Sequence, residues 1–233
     1  MPSLVGSIAQ SQANTVSHTL AAGSGNRIVF GLYGSETAID TTPTGVTYGG
    51  QTMTLLGSHE NTGYATSAYV FYILEADLPA NGANTFDASS ITGSTNDAST
   101  VLCFDGLAQT TESDLLVGDG GAGSNATKGG DITVATTNDL VLLLGHSRNG
   151  EVFSSSTLDV AAFYDIGASD AMQMYAYDLN EAAGEFTATV TSTTTLANPA
   201  IIISTWAQLA AAGKGPLINA GLINNGLLNS GLT

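Results

Sequence analysis

Apolar residues along this chain fall into many short runs, separated by turns rich in Gly, Asn and Asp. Two runs, Arg27–Tyr33 and Ser67–Leu74, are almost continuously apolar, whereas Ala171–Tyr177 and Glu185–Val190 alternate between apolar and polar positions. Short runs of β-branched and aromatic residues, many with a period of two, are typical of β-strands. The pattern predicts about twelve strands with turns between them, and therefore an all-β protein.

The two alternating runs mark strands predicted at Met172–Leu179 and Glu185–Thr191. The other predicted strands are Val16–Leu20, Val46–Tyr48, Gln51–Leu56, Asn84–Ala88, Thr100–Leu107, Asp131–Thr136, Asp139–Gly145, Leu158–Ile166 and Ala200–Leu209. Gly49 and Gly50 lie between two of these strands and predict a two-residue hairpin. Thr110–Val117 predicts one short helical turn, and the Gly-rich stretch Gly118–Gly130 predicts a mobile loop. Together these elements predict an antiparallel, jelly-roll-like β-sandwich over residues 16–209.

The ends of the chain have their own patterns. Residues 1–15 are predicted to form an N-terminal arm or a first strand. From Gly215 onward, Leu and Asn recur every five residues, a period that matches neither a helix nor a strand. Repeats this short need neighbours to bury their apolar side chains, so residues 210–233 are predicted to form an assembly arm. A disordered Gly/Asn tail is the alternative. The predicted contact residues are Leu217, Ile218, Leu222, Ile223, Leu227, Leu228 and Leu232.

The net charge of the chain limits the classes of molecule that it is predicted to bind. The chain has 20 acidic residues and 4 Lys or Arg, for a formal charge of −16, and only 10% of its residues are charged. Binding to nucleic acid depends on clustered basic side chains that displace counterions from phosphates. Nucleic acid and anionic membranes are therefore excluded as predicted partners, while basic protein surfaces and cations are not.

The expected location follows from two further observations. Met1–Ser7 has no positively charged region and no long apolar stretch, so no signal peptide is predicted. No run reaches the roughly 18 apolar residues of a membrane helix. A surface rich in Thr, Ser and Asn without a targeting segment suits a virion protein that folds in the host cytoplasm. A mature extracellular protein is the alternative. The single cysteine, Cys103, lies in an apolar run and is predicted to be a buried thiol.

The segment Leu142–Gly150 offers the sharpest catalytic motif. Gly145 and Ser147 match the start of the G-x-S-x-G nucleophile elbow, but Asn149 stands where the last Gly is required. No His follows Ser147 to act as its base, and the residues after Asn149 do not predict a helix. Since a serine without a base is not activated, the interpretation is a strand end and turn, and no enzyme is predicted.

Metal and sugar sites are weighed in the same way. The three His residues and Cys103 have no zinc spacing, and no cofactor is predicted. Structural calcium is kept as an alternative, since Asp side chains and loop carbonyls supply its ligands. The candidate residues are Asp119, Asp131, Asp165, Asp170 and Asp178.

Aromatic side chains bear on sugar binding. Trp206, the only tryptophan, lies in a strand and is predicted to belong to the core. A tyrosine-lined binding face is weighed against half-buried packing, and packing is favoured. The tyrosines concerned are Tyr64, Tyr69, Tyr72, Tyr164, Tyr175 and Tyr177.

A stretch of about 45 residues is similar to a known group of proteins. Thr44–Leu56, Tyr69–Leu74 and Glu75–Gly82 combine a V-T-Y-x-G hairpin, an aromatic strand and an L-P-x-x-G turn. This combination resembles β-sandwich proteins of tailed phages and bacteria. The resemblance implies a jelly-roll-like virion or surface domain, and it carries no catalytic residues.

The sequence therefore predicts a structural accessory protein of a virus particle, either a capsid decoration (cement) protein or a tail-associated component. Its predicted partners are copies of itself, as a trimer or larger assembly, and other particle proteins such as a major capsid protein. A receptor- or carbohydrate-binding module is the alternative, and a hydrolase using Ser147 is the third class considered.

Overall fold

A computed structural model describes most of the chain. The described residues are 1–36, 43–61, 66–92, 96–118, 127–147, 153–165, 172–179, 181–192 and 200–210.

Within these ranges the regular structure is eighteen β-strands and one 3₁₀ turn at Glu75–Asp77. Short β-branched and aromatic runs bounded by Gly and Asn turns account for this all-β content. The strands are β1 Ser3–Leu4, β2 Ala9–Ser11, β3 Thr15–Leu20, β4 Ile28–Ser35, β5 Thr47–Tyr48, β6 Gln51–Thr52, β7 Thr54–Asn61, β8 Thr66–Leu74, β9 Gly82–Asp87, β10 Ala98–Asp105, β11 Asp114–Gly118, β12 Thr127–Val134, β13 Leu140–Ser147, β14 Phe153–Ser156, β15 Val160–Asp165, β16 Met172–Asp178, β17 Gly184–Ser192 and β18 Ala200–Trp206.

The first ten strands form a jelly roll. Their pairing is nested, because β2 pairs with β10, β3 with β9, β4 with β8, and β5 with β6. Such nesting describes one long hairpin folded over into two sheets. The first outer sheet has the order β3-β9-β5-β6, and the first inner sheet has the order β10-β4-β8-β7, with β1 and β2 both on the far side of β10.

Strands β11–β18 repeat this topology. β11 pairs with β18, β12 with β17, and β13 with β16, so the nesting is the same. The second inner sheet is β11-β18-β13-β16-β15, and the second outer sheet is β12-β17-β14. β15 lies beside β16 as β7 lies beside β8. The prediction of an antiparallel, jelly-roll-like sandwich is confirmed, and the described strands from Ser3 to Trp206 form two sandwiches of one topology.

Three apolar layers separate the four sheets. One fills the first sandwich, another fills the second, and the third lies between the two inner sheets. We call this third layer the seam. Alternate residues of β4 serve the two sides of its sheet: Val29 faces the first sandwich, whereas Phe30 faces the seam. β13 does the same with Val141 and Leu142. The central strands of both inner sheets are therefore buried on both faces, which is why β4 and β13 are almost continuously apolar.

The seam joins the two halves through equivalent residues. Strand register places Phe104 and Trp206 at matching positions of the two halves, and Tyr72 and Tyr177 likewise. Phe104 packs edge-on against Tyr177, with ring centroids 5.0 Å apart, and Trp206 packs edge-on against Tyr72 at 5.1 Å. Such reciprocal contacts are those of a two-fold symmetric dimer interface, here within one chain.

The two halves also have equivalent turns. Asn26 precedes β4 with φ 57°, and Asn138 precedes β13 with φ 69°, a left-handed conformation that asparagine tolerates. The predicted hairpin at Gly49 and Gly50 is confirmed: both have positive φ, and Tyr48 pairs with Gln51 on either side.

Two local predictions are wrong. Residues 110–117 do not form a helical turn; Asp114–Gly118 is strand β11, because its backbone pairs with β18 over five positions from Asp114 to Gly118. The loop prediction for Gly118–Gly130 is wrong at its second end, since β12 begins at Thr127 and pairs with β17; residues 119–126 lie outside the described residues. In both cases a partner strand distant in the chain overrides the local composition.

Each inner sheet belongs both to one sandwich and to the seam. We therefore expect the two sandwiches to unfold cooperatively. Opening either sandwich exposes an inner sheet that also forms the seam, so we expect a single unfolding transition in urea. Trp206 fluorescence, which reports on the seam, and far-UV circular dichroism, which reports on all sheets, are expected to give the same midpoint. Two separated transitions would contradict this prediction.

Candidate functional site

The first and last described segments meet at one end of the molecule, which we call the anchored end. It comprises Met1–Val5, Arg27, Glu75, Asp105–Leu107 and Gln208–Leu209. β1 pairs with the end of β10, and the backbone N–H of Leu209 donates to the carbonyl of Gly106 at 2.7 Å. The last described residues therefore lie beside the N-terminal strand.

An arginine clamp holds the loops of this end. The Arg27 guanidinium donates from Nε and Nη2 to the Glu75 carboxylate at 2.8 and 2.6 Å, and from Nη1 to Asn81 Oδ1 at 2.6 Å. The Arg27 side chain is only 10% exposed. The hydrogen bonds from Arg27 hold the pKa of Glu75 below its usual value, although partial burial acts in the opposite direction. The clamp ties β4, the 3₁₀ turn and the start of β9 together.

Asp105 fixes the N-terminal segment. Its carboxylate accepts hydrogen bonds from the hydroxyls of Ser3 and Ser24 and from the backbone N–H of Ser24. Burial disfavours the charge on Asp105, but these hydrogen bonds outweigh it, and the pKa of Asp105 is lowered. β1 is thus held by a side chain as well as by its backbone pairing.

The last described residues are anchored in the same way. Gln208 pairs with Leu107 across an isolated bridge, and its backbone N–H donates to Asp139 Oδ1 at 3.0 Å. Two large apolar side chains nearby are open to solvent, since Met1 is 78% exposed and Leu209 is 44% exposed. The anchored end therefore combines rigid attachment with exposed apolar surface.

A second unusual group lies in the seam at the opposite ends of the strands. His146 of β13 is fully buried, and neither ring nitrogen has a hydrogen-bond partner among the described residues. Its ring packs against Gly34 of β4, where an added Cβ would lie 2.3 Å from His146 Cγ. By strand register Gly34 and His146 occupy matching positions of the two halves. Burial lowers the pKa of His146 to about 3.

Both ring nitrogens of the other buried histidine, His18, are hydrogen-bonded. Nε2 of His18 donates to the carbonyl of Ser7 at 3.1 Å, so Nδ1 accepts from the Tyr48 hydroxyl at 2.6 Å. This assignment makes His18 neutral, in agreement with the lowering of its pKa by burial. Cys103, predicted to be a buried thiol, is fully buried in the same sandwich, and burial raises its pKa to about 12.

The elbow motif does not form a nucleophile elbow in the described residues. Ser147 is the last residue of β13 and is fully buried, and the next described element is strand β14. This agrees with its interpretation as a strand end.

The described calcium candidates lie on different strands. Asp131 lies on β12 and accepts a hydrogen bond from Thr187 at 2.6 Å, whereas Asp178 ends β16 beside Glu181. Asp165 lies on β15, and Asp119 and Asp170 lie outside the described residues. In the described part of the chain, no three His, Cys, Asp or Glu side chains form a group that could hold a metal ion.

Most of the other residues singled out in the sequence either lie in or beside the core or lie outside the described residues. Trp206 is confirmed as a core residue, and Tyr69, Tyr72 and Tyr177 are buried, while Tyr175 is half-buried. Tyr64 lies outside the described residues, and Tyr164 lies on β15. The predicted assembly residues Leu217, Ile218, Leu222, Ile223, Leu227, Leu228 and Leu232 all lie outside the described residues.

Neither the clamp nor the Gly34–His146 contact is predicted by the sequence patterns described above. A signal for the second exists: Asn26–Ser35 (NRIVFGLYGS) and Asn138–Ser147 (NDLVLLLGHS) are similar along their length. Aligning them identifies the internal repeat and shows that Gly34 and His146 are equivalent positions of the two halves. The clamp has no comparable signal, because Glu75 and Asn81 become neighbours of Arg27 only in the folded chain.

Comparisons with known proteins do not add a family. No protein-family model, no curated protein and no solved structure matches the chain. Among the described residues, no helix is long and apolar enough to span a membrane.

The clamp predicts a specific stability difference. Glu75→Gln removes the charged partner of the buried Arg27, and we expect a loss of about 2 kcal/mol of unfolding free energy. Asp77→Asn, in the same 3₁₀ turn but exposed, is the matched control and should change stability by less than about 0.5 kcal/mol. Because the pKa of Glu75 is lowered in the fold, the difference between wild type and Glu75→Gln should shrink as pH falls below about 4.5. Equal effects of the two variants in urea unfolding would contradict the clamp.

The contact between Gly34 and His146 predicts energetic coupling. Gly34→Ala is expected to cost about 1–3 kcal/mol, because its Cβ overlaps the imidazole. The same change should cost at least about 1 kcal/mol less in a His146→Ala background. Gly31→Ala is the control, because its Cβ meets Phe86 on the other face of β4 and its cost should not depend on His146. A double-mutant cycle in urea measures both couplings, and additivity at Gly34 would refute the contact.

Proposed function

We propose that this protein is a structural accessory subunit of a virus particle, which assembles with further copies of itself and with other particle proteins through residues 210–233. The observation that carries the proposal is the anchored end, where the segment leading into the five-residue repeat is fixed beside β1. An arm held at its root can reach a neighbouring subunit with less loss of conformational entropy than a freely hinged one.

The burial pattern supports an arm as the contact element. Both inner sheets are covered on both faces, by the sandwiches and by the seam, so neither offers an apolar face to a neighbour. The large apolar side chains exposed in the described residues are few and dispersed: Met1, Val117, Val160 and Leu209. Two of these four lie at the anchored end. The repeated Leu and Ile side chains of the arm remain as apolar contact surface. Burying one of them fully contributes roughly 1.5–3 kcal/mol of free energy.

The architecture is compatible with this role. Jelly rolls are common in viral capsid proteins and in lectins, so the fold alone does not choose between a particle subunit and a sugar-binding module. The sugar-binding alternative has less support, because Tyr69, Tyr72 and Tyr177 are core residues and do not form a tyrosine-lined surface. The resemblance to phage sandwich proteins stays a prediction and favours the particle.

Removal of the arm tests the proposal. We expect the full chain to form trimers or larger assemblies at high concentration, and a chain ending at Ala210 to be monomeric with an unchanged circular dichroism spectrum and urea midpoint. Light scattering coupled to size-exclusion chromatography measures the mass.

Point variants separate apolar contact from length. Replacing Leu217, Leu222, Leu227 and Leu232 by Ser should abolish assembly, because it removes the buried area. Replacing Asn219, Asn224 and Asn229 by Ser in the same arm is the control and should have a much smaller effect. A full chain that stays monomeric, or a truncated chain that assembles equally well, would overturn the proposal.

A further inference from the structure

His146 lies where the facing sheet presents only small side chains to the seam. In the first inner sheet, Ala98, Gly34 and Ala68 are adjacent across three strands and face the seam. In the second inner sheet, Ala200 and Gln173 flank His146. A row of small side chains thus leaves the space that the imidazole occupies, and the ring spans the seam to contact the backbone of β4 at Gly34.

The described surroundings of His146 offer it no counter-charge. The strands packed against it contribute neutral side chains, with Thr100 and Gln173 bonded to each other at 2.7 Å. On the facing sheet, Glu36 lies two residues beyond Gly34, Asp97 directly precedes Ala98, and His59 of β7 is in register with Ala68. Glu36 is engaged by Asn96 through one carboxylate oxygen. Burial is the single cause acting on the pKa of His146, so none of these groups offsets the cost of a charge there.

A proton on His146 would place two unpaired N–H donors and a charge in this layer. Because an unpaired buried charge is costly, protons bind preferentially to a form in which the imidazole is hydrated. His18 differs, because both of its nitrogens are hydrogen-bonded inside the first sandwich. The Ala98–Gly34–Ala68 row has no large side chain that could hold the two sheets together once the imidazole leaves.

We propose that His146 is an acid-sensitive latch between the two sandwiches: the neutral ring closes the seam around Gly34, and protonation opens the seam there while each sandwich keeps its own core. This inference does not depend on the particle role, and it gives the molecule a response to mildly acidic surroundings.

The direction of the pH effect follows from linkage. In the open seam His146 has an ordinary pKa near 6.5, whereas in the closed seam burial lowers its pKa to about 3. The open form therefore binds more protons between these two values. Closure is favoured above about pH 6.5 and weakens as pH falls, so that at about pH 5 the open population is about 30-fold larger than at neutral pH.

A cysteine probe in the seam tests the latch. Val70 is fully buried in the seam, two residues from Ala68, and Val70→Cys is close to isosteric. Cys103, buried in the first sandwich, is the built-in reference. Labelling by 4,4′-dithiodipyridine, which reacts in acid, is followed by mass spectrometry at about pH 7.5 and about pH 5. Rates are normalised to the urea-unfolded chain at the same pH.

We expect labelling of the introduced thiol in Val70→Cys to accelerate about 30-fold at the lower pH while Cys103 stays protected. In a His146→Leu background, which has an apolar side chain that does not titrate, the acceleration should disappear. His146→Met serves if the Leu variant does not fold. Equal acceleration at Cys103 would indicate global unfolding and overturn the latch. Acceleration that persists without His146, or no acceleration at all, would overturn it as well.

Discussion

The structure depends on two β-sheets that are each buried on both faces. A sheet in this position has no side that tolerates polar side chains, so its strands must be continuously apolar. β4, β8, β10, β13 and β18 satisfy this requirement almost throughout. Where they do not, the polar group is paired, as in Thr100 and Gln173, or is held neutral by burial, as in His146.

The seam explains how the two halves act as one body. Its reciprocal contacts, Phe104 with Tyr177 and Trp206 with Tyr72, are those expected if a single jelly roll once paired with its own copy and the two copies became one chain. Because both halves belong to one chain, equivalent positions do not have to hold identical residues. Gly34 and His146 occupy matching positions and now complement each other, a large side chain against none. Such a pair is only possible when the interface is no longer strictly symmetric.

The two ends of the molecule differ in their chemistry. The anchored end is rich in charge-assisted hydrogen bonds, through Arg27, Glu75 and Asp105, and fixes the segments at both ends of the described fold. The opposite end of the seam is lined by Gly34, Ala68 and Ala98 and is closed by one imidazole. A firmly held arm at one end and an acid-sensitive seam at the other suit a subunit that is attached to its neighbours at one side. The assembly arm and the acid-sensitive latch are both proposals.

Local patterns in the sequence were sufficient to predict the all-β class, most of the strands, the Gly49–Gly50 hairpin and the burial of Cys103 and Trp206. Alternation, β-branched runs and turn residues act within a few positions of each other, which is why they can be recognised without the fold. Only the folded chain established that there are two stacked sandwiches, that β11 is a strand, and that Arg27 clamps Glu75 and Asn81. The same holds for the contact of His146 with Gly34. All of these depend on pairings between residues far apart in the chain, and a continuously apolar strand has the same sequence pattern whether one sandwich or two will cover it.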